Sequence, residues 1–175
     1  QEEIDNFSQN FPNCTDLAYD LRVDGTSNQI TNLNGLSSII TSKNILILYT
    51  QITSLEGLNT LESAEIFTLW GNQNINNLEG LGALNSMNSF QLYENNNLFG
   101  LDGMDSIQSI NEIIFNDTAS VVLLKSPNYL KDGYYFLKYK NPKYFGTQVF
   151  YHIQAKEGYL KSYYLVKFEG DAASF

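Results

Sequence analysis

The chain has 175 residues, 43% hydrophobic and 14% aromatic, with a formal net charge of -9, one cysteine and one histidine. This is one ordinary domain with enough apolar material for a core, and no apolar run reaches the roughly 18–20 residues that cross a bilayer. Lone Cys14 excludes an internal disulfide, and lone His152 argues against histidine-rich metal sites and a Ser-His-Asp triad.

The chain opens at Gln1 rather than Met, which is expected either of a processed form, where removal of a secretory leader before Gln1 would fit, or of a recombinantly expressed segment. The first stretch, "FSQNFPNCTDLAYDLRVDG", reads as a cap. The open end of a stacked fold exposes core and unpaired strand edges, so an atypical first unit is expected. Within it Leu17 to Val23 form a degenerate first strand, Phe7 and Phe11 sit on the end of the core, and Cys14 is a buried thiol.

From residue 30 the text repeats. Leu-x-Gly-Leu recurs as "LNGL" at 33–36, "LEGL" at 55–58, "LEGL" at 78–81 and "LDGM" at 101–104. A period of 22–23 residues marks a solenoid in which each repeat is one coil. Four apolar columns follow: Ile30/Ile52/Ile75/Leu98, Leu33/Leu55/Leu78/Leu101, Leu36/Leu58/Leu81/Met104 and Ile39/Leu61/Leu84/Ile107. A strand with alternating inward residues completes each coil: Ile45 and Ile47, Phe67 and Leu69, Phe90 and Leu92, Ile113 and Phe115. The recurrent Gly35, Gly57, Gly80 and Gly103 call for positive φ or a bend with no room for a side chain. The runs "GNQN" and "ENNN" fall where the strand turns out of the sheet, and their asparagines are structural.

The cap "FPNCTDLAYDLRVDG" followed by "ITNLNGLSSI" and the "LEGL" copies resembles the receptor L-domain type of leucine-rich repeat found in bacterial surface proteins. The resemblance covers about residues 7–117. It implies a right-handed, L-domain-like β-helix and a secreted or cell-surface location in a bacterium. Bacterial repeats of this type carry Gly-Gly before the strand; here "SKN", "SAE" and "MNS" stand instead, which bears on the turn at that point.

Beyond residue 125 the composition changes, and nine of the twelve tyrosines lie between 129 and 164. "YYFLKY", "TQVFYHIQA" and "KSYYLVKFE" read as three strands of an antiparallel meander docked on the solenoid. Residues 1–124 carry two cations against fifteen acids, whereas 125–175 carry eight lysines against four acids. Attraction between the two parts uses that contrast; a basic ligand-binding tail is the alternative. "NPKYFGTQVFYHIQAKEGYLKSYYLVKFEG" is similar to the sorting tail of some bacterial secretion systems, and a structural closing cap is the preferred reading. The expected architecture is therefore mainly β: a cap over 1–29, a four-coil leucine-rich β-solenoid over 30–124 and a Tyr/Lys-rich β segment over 125–175.

Two places can carry chemistry. The second position of Leu-x-Gly-Leu stacks Glu56, Glu79 and Asp102 into an acidic column at a coil spacing of about 4.8 Å. Solvated, splayed acids are the plain reading; calcium or lysines of the C-terminal segment are the alternatives. The outward strand rows are Leu46/Thr68/Gln91/Ile114 and Leu48/Trp70/Tyr93/Asn116. The candidate binding platform is Trp70 and Tyr93 with Leu48, Thr68 and Gln91, where a sugar ring stacks or a protein is gripped, unless the Tyr-rich meander covers that face. Asn6, Asn13 and Asn116 head N-x-S/T sequons. No phosphate loop, metal-ligand cluster or activated nucleophile is present, so neither enzyme activity nor a cofactor is expected. The acidic first part repels nucleic acid. The expected function is non-catalytic binding or adhesion toward a protein or carbohydrate, with a structural spacer as the alternative.

Overall fold

The computed structural model describes residues 1–98, 103–116, 133–140, 148–156 and 159–168. Two single-turn helices, α1 (Glu2–Asp5) and α2 (Phe7–Asn10), precede two short strands, β1 (Asp16–Leu17) and β2 (Leu21–Asp24). A 3-10 turn at Asn34–Leu36 leads into four strands of eight residues: β3 (Thr41–Leu48), β4 (Ser63–Trp70), β5 (Ser86–Tyr93) and β6 (Ser109–Asn116). Three more follow: β7 (Gly133–Lys140), β8 (Gln148–Lys156) and β9 (Tyr159–Phe168).

β3 to β6 are parallel and in register, so Ile45, Phe67, Phe90 and Ile113 are successive partners. Consecutive parallel neighbours require a full turn of chain between them. The result is a β-solenoid in which three turns separate these four strands. The apolar columns face its interior: Ile52, Leu55, Leu58, Leu61, Ile75, Leu78, Leu81 and Leu84 have no solvent exposure. Each such side chain contributes about 1.5–3 kcal/mol relative to leaving it in water. Phe67 and Phe90 meet edge to face at 5.7 Å. Leu101 lies outside the described residues.

Ala64, Met87 and Ile110 also face the core, although simple alternation from Phe67, Phe90 and Ile113 puts them outside. The pairing runs over 41–42 and 44–48 in β3 and breaks at Lys43, opposite Glu65. A corner there resets the period. The cap follows the same corner: β1 pairs with Thr41 and Ser42, β2 with Ile45 to Leu48, so the single strand expected over Leu17 to Val23 is split. The Asn44 amide closes the gap by donating to Asp20 Oδ1 at 2.8 Å.

The glycines of Leu-x-Gly-Leu serve two purposes. Gly57, Gly80 and Gly103 have φ of 103°, 108° and 105°. A Cβ on Gly57 would also overlap the Leu33 carbonyl of the coil before, and Gly80 is placed the same way over Leu55. Backbone therefore lies directly on backbone. Gly35 lacks positive φ; a Cβ there would strike the Ile4 carbonyl, because α1 is laid across this turn.

α1 thus plugs the first coil. Ile4 is buried, and the Gln1 side chain accepts from the Thr31 amide at 2.8 Å while donating to Asp5 at 2.7 Å. Phe7 packs against the core, but Phe11 is 56% exposed, its ring centroid 5.3 Å from that of Phe7. It follows the last residue of α2, where the chain turns away from the coil. Cys14, in the loop after it, is half-buried rather than buried.

An asparagine ladder crosses the coils just past the strands. Asn72 Oδ1 accepts from the Thr50 amide (3.0 Å) and hydroxyl (2.7 Å), and its Nδ2 donates to the Ile47 carbonyl (2.8 Å). Asn95 repeats this one coil on, accepting from the Asn72 amide (3.1 Å) and donating to the Leu69 carbonyl (2.9 Å). Both are fully buried. They satisfy turn amides inside the solenoid that water cannot reach.

The C-terminal strands extend the same sheet. β7 pairs parallel with β6, and β8 and β9 then follow antiparallel, with a register shift between His152 and Ile153. The expected meander is present and joins the solenoid at the edge of β6. The boundary expected between residues 124 and 125 lies outside the described residues. No helix among the described residues is long and apolar enough to cross a membrane.

Candidate functional site

The outer face of the sheet carries a row of aromatic rings, one from each of three coils. Trp70 and Tyr93 are register partners at the ends of β4 and β5, with ring centroids 5.5 Å apart. The third ring belongs to Tyr49, 5.9 Å from Trp70. Trp70 is 40% exposed, Tyr49 is 38% exposed and Tyr93 is half-buried. Successive ring planes are turned by 41° and 46°.

Tyr49 corrects the platform expected from the strand rows. Leu48 is the register partner of Trp70, yet it is only 6% exposed. Tyr49 follows the strand with φ of 51°, a left-handed conformation that breaks the alternation. Its ring crosses the position where Gly71 has no side chain; a Cβ on Gly71 would collide with it. The sequence signal was the pairing of an unsubstituted residue in one coil with a tyrosine at the same phase in the coil before.

Backbone bonds hold the row past the strand ends. The Tyr49 amide donates to the Trp70 carbonyl and the Gly71 amide to the Tyr93 carbonyl, both at 2.8 Å. Beside the rings runs a polar row. Thr68, buried, donates to Gln91 Oε1 at 3.4 Å; the Tyr93 hydroxyl donates to the same oxygen at 3.3 Å. Gln91 Nε2 in turn donates to Ser89 Oγ at 3.2 Å. Thr68 and Gln91 therefore stiffen the floor of the row, and Gln91 is half-buried within it.

The acidic column is less assembled. Glu56 and Glu79 are solvent-exposed, and Asp102 lies outside the described residues. Among the described residues no group of three or more His, Cys, Asp or Glu side chains is arranged to hold a metal ion. The acids with perturbed titration lie at the cap instead. Hydrogen bonds from the Thr26 hydroxyl and amide, then from Arg22, bring Asp24 down to about 2. Asp16 is lowered by the Thr41 hydroxyl and then that of Thr15. Arg22 and Asp24 form an ion pair at 2.6 Å.

The part of the chain that carries the rings is acidic. Residues 1–98 contain eleven acids against Arg22 and Lys43. No protein-family model, curated protein or solved structure matches this chain. The likeness to receptor L domains rests on its motifs.

Proposed function

We propose that this chain is a non-catalytic binding module, secreted or displayed on a bacterial surface, that recognises or adheres to a protein or glycan. The observation that carries this reading is the row Tyr49–Trp70–Tyr93. Large apolar side chains are normally withdrawn from water, and rings half-exposed side by side on a rigid sheet are what binding hot spots are made of. The hydrogen-bonded Thr68–Gln91 floor supports it, because groups already fixed lose little freedom on binding. The L-domain resemblance supports the surface location.

A structural spacer within a longer surface protein is the second reading, favoured by the ladders of Asn72 and Asn95 that stiffen the stack. The two separate by mutation. In the full chain, Trp70 emission should be readily quenched by iodide, and Trp70→Ala with Tyr93→Ala should keep the circular dichroism spectrum while abolishing adhesion. A spacer would be indifferent to both substitutions.

A further inference from the structure

From the tilt, spacing and charge of the aromatic row, we infer that the ligand is a single, soluble, neutral glycan chain lying along the solenoid axis, with three consecutive sugar units each stacked on one ring. This deepens the binding reading and rests on it.

The rings follow one another coil by coil across the strands, 5.9 and 5.5 Å apart. An elongated ligand lying across the coils meets one ring per coil. Sugars suit such a surface because a pyranose presents a C–H face to an aromatic ring and hydroxyls at its rim. Here the rim meets a polar row that includes Gln91 and the Tyr93 hydroxyl.

The tilt excludes one form of the ligand. Ring planes turned by 41° and 46° are not a shared plane. The flat face of a crystalline polysaccharide cannot lie against all three. A single chain whose sugar units rotate about their linkages can.

The charge of the coils that carry the rings disfavours another. In residues 1–98, which carry the three rings, eleven acids stand against two cations, one of them already paired with Asp24, so this part of the chain disfavours sulfated or uronic-acid glycans, while the eight lysines of the chain's second part lie beyond residue 124. Glu94 follows Tyr93 at the end of the row.

The test is titration of the full chain with neutral oligosaccharides of one to six units. The panel comprises α- and β-linked glucose, xylose, mannose, galactose and N-acetylglucosamine, beside sulfated and uronic counterparts and crystalline cellulose and chitin. For at least one neutral series, affinity should rise about 5- to 10-fold per unit up to the third and then level off. Tyr49→Ala should move that plateau to two units, a length change that a merely structural role does not produce. Tyr93→Ala, at the other end, should do the same and serves should Tyr49→Ala not fold. Trp70→Phe should retain most of the binding that Trp70→Ala loses.

Equal affinity for one unit and three, preference for anionic chains, or retention on crystalline material would overturn the inference. So would silence across the whole panel. If Trp70 is then still open to iodide, the glycan inference falls while the binding reading stands, with a protein as its remaining ligand class. If Trp70 is protected from iodide, the binding reading falls as well.

Discussion

Asn72→Ala removes the centre of the buried ladder. The Thr50 amide and hydroxyl lose their acceptor, and the Ile47 carbonyl loses a donor. Three bonds between 2.7 and 3.0 Å disappear in a place without exposure to solvent. At about 1–1.5 kcal/mol each, more where a group is left unsatisfied, the expected loss is about 3–4 kcal/mol. Asn95→Ala takes away two comparable bonds, to the Asn72 amide and the Leu69 carbonyl, and should cost about 2–3 kcal/mol. Urea unfolding followed by circular dichroism measures both, as a fall in midpoint at constant slope. The double variant should cost less than the two losses added, because the residues share the Asn72 backbone. A cost below about 1 kcal/mol for Asn72→Ala, or a larger cost for Asn95→Ala, would refute the claim that these side chains replace water in the turns.

Gly57→Ala should be strongly destabilising, by about 2 kcal/mol or more, since it combines positive φ with a collision against Leu33; Gly82→Ala, in open space, should be neutral or slightly stabilising. Thermal unfolding of the pair distinguishes a stacking glycine from an ordinary one. Glu94, at φ of 54° and in the phase of Gly71, should tolerate glycine with little loss or a small gain in midpoint. Asp24 is lowered in the folded chain, so it stabilises above its unfolded value near 4, and that contribution is lost as pH falls toward about 2. The midpoint gap between the parent chain and Asp24→Ala should therefore be full at pH 5 and close toward pH 2.

The interior was legible because one coil cannot bury its own apolar side. A column such as Leu36, Leu58, Leu81 and Met104 has a single physical use, and all four are buried. The aromatic row was half legible. Trp70 and Tyr93 follow from alternation along a strand, but Tyr49 sits one residue past it, where a left-handed backbone turns the ring into line. Alternation cannot foresee a conformational switch of that kind. The asparagines were legible as structural, though not their burial: Tyr49, Gly71 and Glu94 are left-handed, and the residues one position later, Thr50, Asn72 and Asn95, are buried. The corner at Lys43 and Glu65 hid Ala64 and Met87 for a related reason. Phe11 is exposed rather than on the end of the core because a residue just past a one-turn helix takes its direction from the turn, not from its hydrophobicity.

Bare backbone resting on bare backbone makes every interface between coils alike. Gly57 meets Leu33 as Gly80 meets Leu55 and Gly103 meets Leu78. A copied coil would find a seat already shaped for it, with no new surface to evolve. If it carried its ring, the outer row would lengthen by one. Duplication and loss of a single coil would then work as a ruler, setting in whole steps the length of the proposed ligand.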